Sequence, residues 1–131
     1  MTISNNALLE TLEFNAAAVA RDVRLENNDG TDLAISGSLG SVGRNFFIQG
    51  NDDLFSVNLP SLTGIAAPVD GTNGALVIKN NGTQFDAISL PALEVVDGNI
   101  DMNNSSSNDS PTKYLQFGTL EFVLRCGAFN L

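Results

Sequence analysis

The side chains in this sequence that can do chemistry are its carboxylates: there are fifteen Asp and Glu residues, one Cys and no His. Without imidazole there is no Ser-His-Asp or Cys-His nucleophile pair and no histidine metal site. What remains is hydrolysis of a polysaccharide by two carboxylates, for which Asp70, Asp97 and Asp101 are candidates if the strands that carry them are neighbours. Each of the three also fits a turn or an outward strand position, so a carboxylate-dependent polysaccharide-active enzyme is a minor alternative. The expectation is a protein that is not an enzyme, with no catalytic, cofactor-binding or metal residue assigned and no cofactor. The turn Asn27-Asn-Asp29-Gly-Thr-Asp32 and the run Asn51-Asp-Asp53 gather hard oxygen ligands of the kind calcium takes. They lack the alternating spacing and closing Glu of an EF-hand loop and read better as solvated turns.

Other reactive features are equally sparse. Asn81-Gly-Thr83, Asn103-Asn-Ser105, Asn104-Ser-Ser106 and Asn108-Asp-Ser110 are acceptor sequons for N-linked glycans, in a chain rich in Asn and Ser. Cys126 has only Arg125 beside it as a positive neighbour and reads as a small apolar residue. The threonines Thr11, Thr31, Thr63, Thr83 and Thr119 share no single column, which argues against a flat ice-binding array.

The elements that position these residues come from an internal repeat. Leu54 to Ile65, LFSVNLPSLTGI, aligns without a gap on Phe85 to Val96, FDAISLPALEVV, keeping Leu-Pro-x-Leu and the aliphatic positions. Ile100-Asp-Met102-Asn103-Asn104 recurs as Leu76-Val-Ile78-Lys-Asn80-Asn81, as Val23-Arg-Leu25-Glu-Asn27-Asn28, and more loosely as Phe46-Phe-Ile48-Gln-Gly-Asn51. A period of roughly 23 to 30 residues signals a stack of small units, each covering the apolar face of the next. Strand alternation turns Ile100 and Met102 to one side and Asp101 to the other, and does the same for Leu76 and Ile78 around Val77.

The fold expected is all-β: a right-handed parallel β-solenoid, leucine-rich-repeat or L-domain-like, of about four to five coils with three short sides each. Residues 1–131 form one domain, with 1–22 a degenerate first coil or cap, 23–123 regular coils and 124–131 a terminal coil. Ile35, Val57 and Ile88, with neighbouring Leu59, Leu90 and Phe117, make one inward column; Leu39, Leu62, Leu93 and Leu120 make another. Asn27, Asn51, Asn80 and Asn103 recur at a corner, where Asn tolerates left-handed backbone and its amide can bond to the next rung. The stretches Ala66 to Gly74 and Ser105 to Lys113 read as outward loops.

The N-terminus admits two readings. Ser4, Asn5 and Asn6 before Leu8, Leu9 and Leu12 fit a short capping helix. The identity of Thr11-Leu-Glu-Phe14 with Thr119-Leu-Glu-Phe122 fits an ordinary rung instead. Ala16 to Arg21 then reads as an outward excursion or a second helical turn.

The phrases NLPSLTGI, ISLPALEVVDGNIDMNN and LQFGTLEFV resemble the receptor L domain, the leucine-rich, β-helix-like module of growth-factor receptor ectodomains and of fungal and bacterial surface proteins. The resemblance covers most of Leu33 to Val123. It implies a right-handed solenoid, an extracellular or cell-surface setting and a role in binding or surface structure, with no catalytic residues. The paired cysteines of receptor ectodomains are absent from this chain.

Charge and hydropathy bound the partners. The net charge of −9, with only six Lys and Arg, repels a phosphate backbone, so nucleic acid is not an expected partner. No apolar run is long enough to cross a membrane and no signal peptide is visible. The function expected is non-catalytic recognition of a protein or glycan through a solenoid face or protruding loops. The alternative is a structural module that stacks on other copies of itself through its coil ends, because Gly127-Ala-Phe129-Asn-Leu131 is apolar and Thr119 to Leu131 matches Thr11 to Val23 in length.

Overall fold

The computed structural model describes residues 1–65, 75–82 and 87–102, and the backbone alone at 114–117, 122–123 and 129–130. In each repeat, short runs of alternating aliphatic and polar residues are cut by Asn, Gly or Asp after a few positions. Such runs form brief strands and cannot form long helices. The first passage of the chain gives β1 (Thr2–Ser4) and β2 (Thr11–Phe14). The second gives β3 (Val23–Glu26), β4 (Leu33–Gly37) and β5 (Ser41–Val42). The third gives β6 (Phe46–Gln49), β7 (Leu54–Asn58) and β8 (Gly64–Ile65). The fourth gives β9 (Leu76–Lys79), β10 (Ala87–Leu90) and β11 (Val95–Val96). The fifth gives β12 (Ile100–Asp101), β13 (Tyr114–Phe117) and β14 (Phe122–Val123), and β15 (Phe129–Asn130) follows.

The second to fifth passages each add one strand to each of three sheets, the first adds one to two of them, and β15 extends one. The orders are β1-β3-β6-β9-β12-β15, β2-β4-β7-β10-β13 and β5-β8-β11-β14, and every pairing is parallel. The chain is therefore all-β among the described residues, with no helix there.

Register decides the core. Val23, Phe46, Leu76 and Ile100 are successive partners in the six-stranded sheet, and Leu25, Ile48 and Ile78 form the next column. Ile35, Val57 and Ile88 line up in the second sheet as the repeat requires. Val42, Ile65 and Val96 do so in the third, each preceded three residues earlier by Leu39, Leu62 or Leu93. All these side chains are buried and belong to one apolar cluster. Covering a Leu or Ile in this way contributes about 1.5–3 kcal/mol, and the cover comes from the passages on either side.

Two expectations for the N-terminus are corrected. There is no capping helix: Thr2–Ser4 pairs with Arg24–Glu26, and Asn5 turns the chain with φ 60°. Leu8, which would anchor the apolar face of such a helix, is 92% exposed. Nor is Ala16 to Arg21 an excursion, since Ala16 and Val19 pack on the core and Val19 bridges to Val42 as the third side of the first passage. The two Thr-Leu-Glu-Phe copies are not equivalent rungs. The first is β2, beside Ala34–Gly37, whereas Phe122 of the second opens β14 in another sheet, beside Val95. The tail also forms a strand: Phe129 and Asn130 pair with Ile100 and Asp101. The proposed outward loops, Leu120 of the second column, Asp70, Asn103, Thr83, Cys126 and the sequons at Asn103, Asn104 and Asn108 lie outside the described residues.

Candidate binding surface and its corner ladder

The corner after the six-stranded sheet is built from two adjacent positions with different duties. The first needs left-handed backbone and is held by Asn5, Asn27, Gly50 and Asn80, with φ 60°, 56°, 65° and 54°. A Cβ at Gly50 would come within 2.5 Å of Asn27 Oδ1, so a side chain there would have to displace that amide. The second position is held by Asn6, Asn28, Asn51 and Asn81, whose amides run through the structure as a ladder.

The ladder repeats one pattern. Asn51 Oδ1 accepts from both Asn28 N (3.0 Å) and Asn28 Nδ2 (3.1 Å), and Asn81 Oδ1 accepts from Asn51 N (3.3 Å) and Asn51 Nδ2 (2.9 Å). Asn28 Oδ1 likewise accepts from Asn6 N and Nδ2. Each amide also donates back to a carbonyl of the preceding passage: Asn28 to Ile3, Asn51 to Leu25 and Asn81 to Ile48. Asn28, Asn51 and Asn81 are fully buried, and these bonds satisfy them. The expected column Asn27, Asn51, Asn80, Asn103 thus merged two positions. The missed residues are Asn6, Asn28 and Asn81, and the doublets Asn5-Asn6, Asn27-Asn28 and Asn80-Asn81 were the available signal.

A shorter polar ladder marks the corner before the same sheet. Asp22 Oδ1 accepts from Asn45 N and Asn45 Nδ2, and Asn45 Oδ1 accepts from Ala75 N.

The residues singled out for chemistry fall at separate places. Asp97 follows β11 and donates its N–H to Ile65 O; Asp101 lies on β12 with its carboxylate 3.7 Å from Lys79 Nζ. In the calcium-like turns, Asn28 and Asn51 are committed to the ladder, and Asp29 Oδ1 accepts from Asp52 N. No group of three His, Cys, Asp or Glu side chains converges to hold a metal among the described residues. Asn81 of the first sequon is buried with its Nδ2 on Ile48 O, so its amide is not presented to a glycosylating enzyme. Thr11 stands on β2, while Thr63 Oγ1 donates to Gly40 O beside a different sheet.

What the fold displays is the outer face of the six-stranded sheet. Thr2, Arg24, Phe47, Val77 and Asp101 form one register row, and Ser4, Glu26, Gln49 and Lys79 the next. Arg24 places its guanidinium 4.2 Å from the Phe47 ring centroid and pairs with Glu26 at 3.3 Å. Lys79 pairs with Asp101, so this face is close to charge-balanced on a chain of net charge −9. The second sheet bulges between Leu33 and Ala34, leaving Phe55 as the extra residue opposite them, 43% exposed.

The chain matches no family model, no curated protein and no solved structure. Among the described residues no helix is long and apolar enough to cross a membrane.

Proposed function

We propose that this chain is a right-handed β-solenoid of the receptor L-domain type, and that it acts at the cell surface or outside the cell as a non-catalytic module that recognises a protein or a glycan. The three parallel sheets, each taking one strand from every passage after the first, support the solenoid reading. The observation that carries the functional reading is the Arg24–Phe47 row. Together with the next row, Glu26-Gln49-Lys79, it puts an aromatic ring, two cations, two carboxylates and an amide on one face in regular register while the buried polar side chains serve the ladder. Aromatic and Arg side chains supply most of the affinity in recognition surfaces. Paired charges on the same face add specificity more than strength.

A glycan array and a panel of purified surface proteins, probed with the monomeric chain, test the reading. Phe47→Ala and Arg24→Ala should each weaken a ligand found there by tenfold or more. Binding that neither substitution alters, or no binding to any glycan or surface protein, overturns it.

A further inference from the structure

The first passage has stacking groups that no described residue covers. Arg24 N donates to Met1 O and Asn5 N donates to Glu26 O, so the intervening Thr2 directs its main chain to the other edge of β1, where no described strand lies. On β2, Glu10 O serves Ala34 N, and Thr11 and Glu13 face the open edge in the same way. Between these strands Ile3, Leu9, Leu12, Ala16 and Val19 are only partly buried, whereas Leu25, Ile35 and Val42 one passage on are covered. Asn6 Oδ1 stands where Asn28, Asn51 and Asn81 each receive two donors, and no described residue donates to it.

We propose that this end docks the opposite end of a second copy of this chain, head to tail, and that β15 is a plug competing for the same place. Head-to-head contact would run the β1 strands antiparallel and bring two Asn6 acceptors together without a donor. Head-to-tail contact continues all three parallel sheets in the sense they already run. A flush stack needs β1 of one copy beside β12 of the other, β2 beside β13, and Val19 beside β14. That place beside β12 is taken: β15 sits there, one level beyond β13 and β14, with Asn130 opposite Asp101 in the column that Thr2 heads. Freeing β12 should therefore promote assembly, and because the contact is heterologous the assemblies should grow past the dimer.

The inference uses the stacked-coil reading above and not the ligand-binding one. Sedimentation of the whole chain, of the chain lacking residues Gly127 to Leu131, and of the whole chain carrying Asn130→Pro tests it, with circular dichroism on each. The expected result is association at a concentration at least tenfold lower in the freed forms than in the whole chain. Adding Thr2→Pro, which removes an N–H at the open edge where proline is tolerated, should abolish it, as should a peptide of residues 126–131 added in trans. Freed forms that stay monomeric, or whose association ignores both Thr2→Pro and the peptide, overturn the proposal. Loss of the sheet signal in both freed forms overturns it too, since β15 would then be part of the fold and not a displaceable plug. A whole chain without a sheet spectrum would instead defeat the stacked-coil reading itself.

Discussion

Asn51 donates both its main-chain N–H and its Nδ2 to the side-chain oxygen of Asn81, the residue in the same place one passage later, and both amides are fully buried. Removing either amide strands several polar groups at once. Asn51→Ala takes a donor from Leu25 O and from Asn81 Oδ1 and an acceptor from the N–H of Asn28. The expected loss is about 2–3 kcal/mol, read as a lower urea midpoint at unchanged slope. Asn51→Asp should be worse than Asn51→Ala, because it sets a buried carboxylate against Asn81 Oδ1 and Leu25 O.

The neighbouring position should respond to different substitutions. Asn80 is exposed and left-handed, with φ 54°. Asn80→Gly should change stability by less than about 0.5 kcal/mol, while Asn80→Val should cost about 1–2 kcal/mol because a β-branched side chain is strained in left-handed backbone. Urea titration of this pair beside Asn81→Ala separates the two duties of the doublet. If Asn80→Gly were as costly as Asn81→Ala, the division between the positions would be wrong.

Much of this architecture could be read from the sequence. The repeat in Leu54 to Ile65 and Phe85 to Val96 predicts the pairing of Val57 with Ile88 and of Ile65 with Val96, because identical spacing of aliphatic residues fixes strand register. The corner was legible only by residue type. Asn serves both a left-handed turn and an amide ladder, and alignment by similarity cannot tell Asn27 from Asn28 where Gly50 stands for one and Asn51 for the other. The N-terminus misled for a related reason. Ser4-Asn5-Asn6 is a helix-capping sequence and also a strand end followed by a corner, and the choice is made by pairing with residues more than twenty positions away. The Thr-Leu-Glu-Phe identity misled because a four-residue aliphatic alternation fits any of the three sides. The outer row with Arg24 and Phe47 left no signal, since outward positions are free of the packing that makes a period.

The ion pair on the outer face should contribute little to folding. Lys79 and Asp101 lie 3.7 Å apart with roughly a third of each side chain exposed. Lys79→Ala should cost less than about 1 kcal/mol and lose even that difference at high salt. Denaturation at low and high ionic strength checks this. The same substitution leaves Asp101 unpaired, so on the proposed binding face its effect should appear in ligand preference.

Position along the stack should set the cost of truncating a core side chain. Leu93 is fully buried in the fourth passage just before β11, with Leu62 at the equivalent place one passage before and β14 beside β11 on the far side. Leu93→Ala should cost about 2–5 kcal/mol, the transfer term plus a cavity that neighbours on two sides hold open. Leu12, in register with Ile35 but only partly buried at the first passage, is covered from one side. Leu12→Ala exposes a surface already half in water and should cost clearly less than Leu93→Ala. Ile35→Ala, one passage inward from Leu12 and fully buried, should fall with Leu93. Equal losses at Leu12 and Ile35 in urea unfolding would mean that the first passage is covered in solution, and a concentration-dependent midpoint for the wild-type chain but not for Leu12→Ala would identify a second copy as the cover.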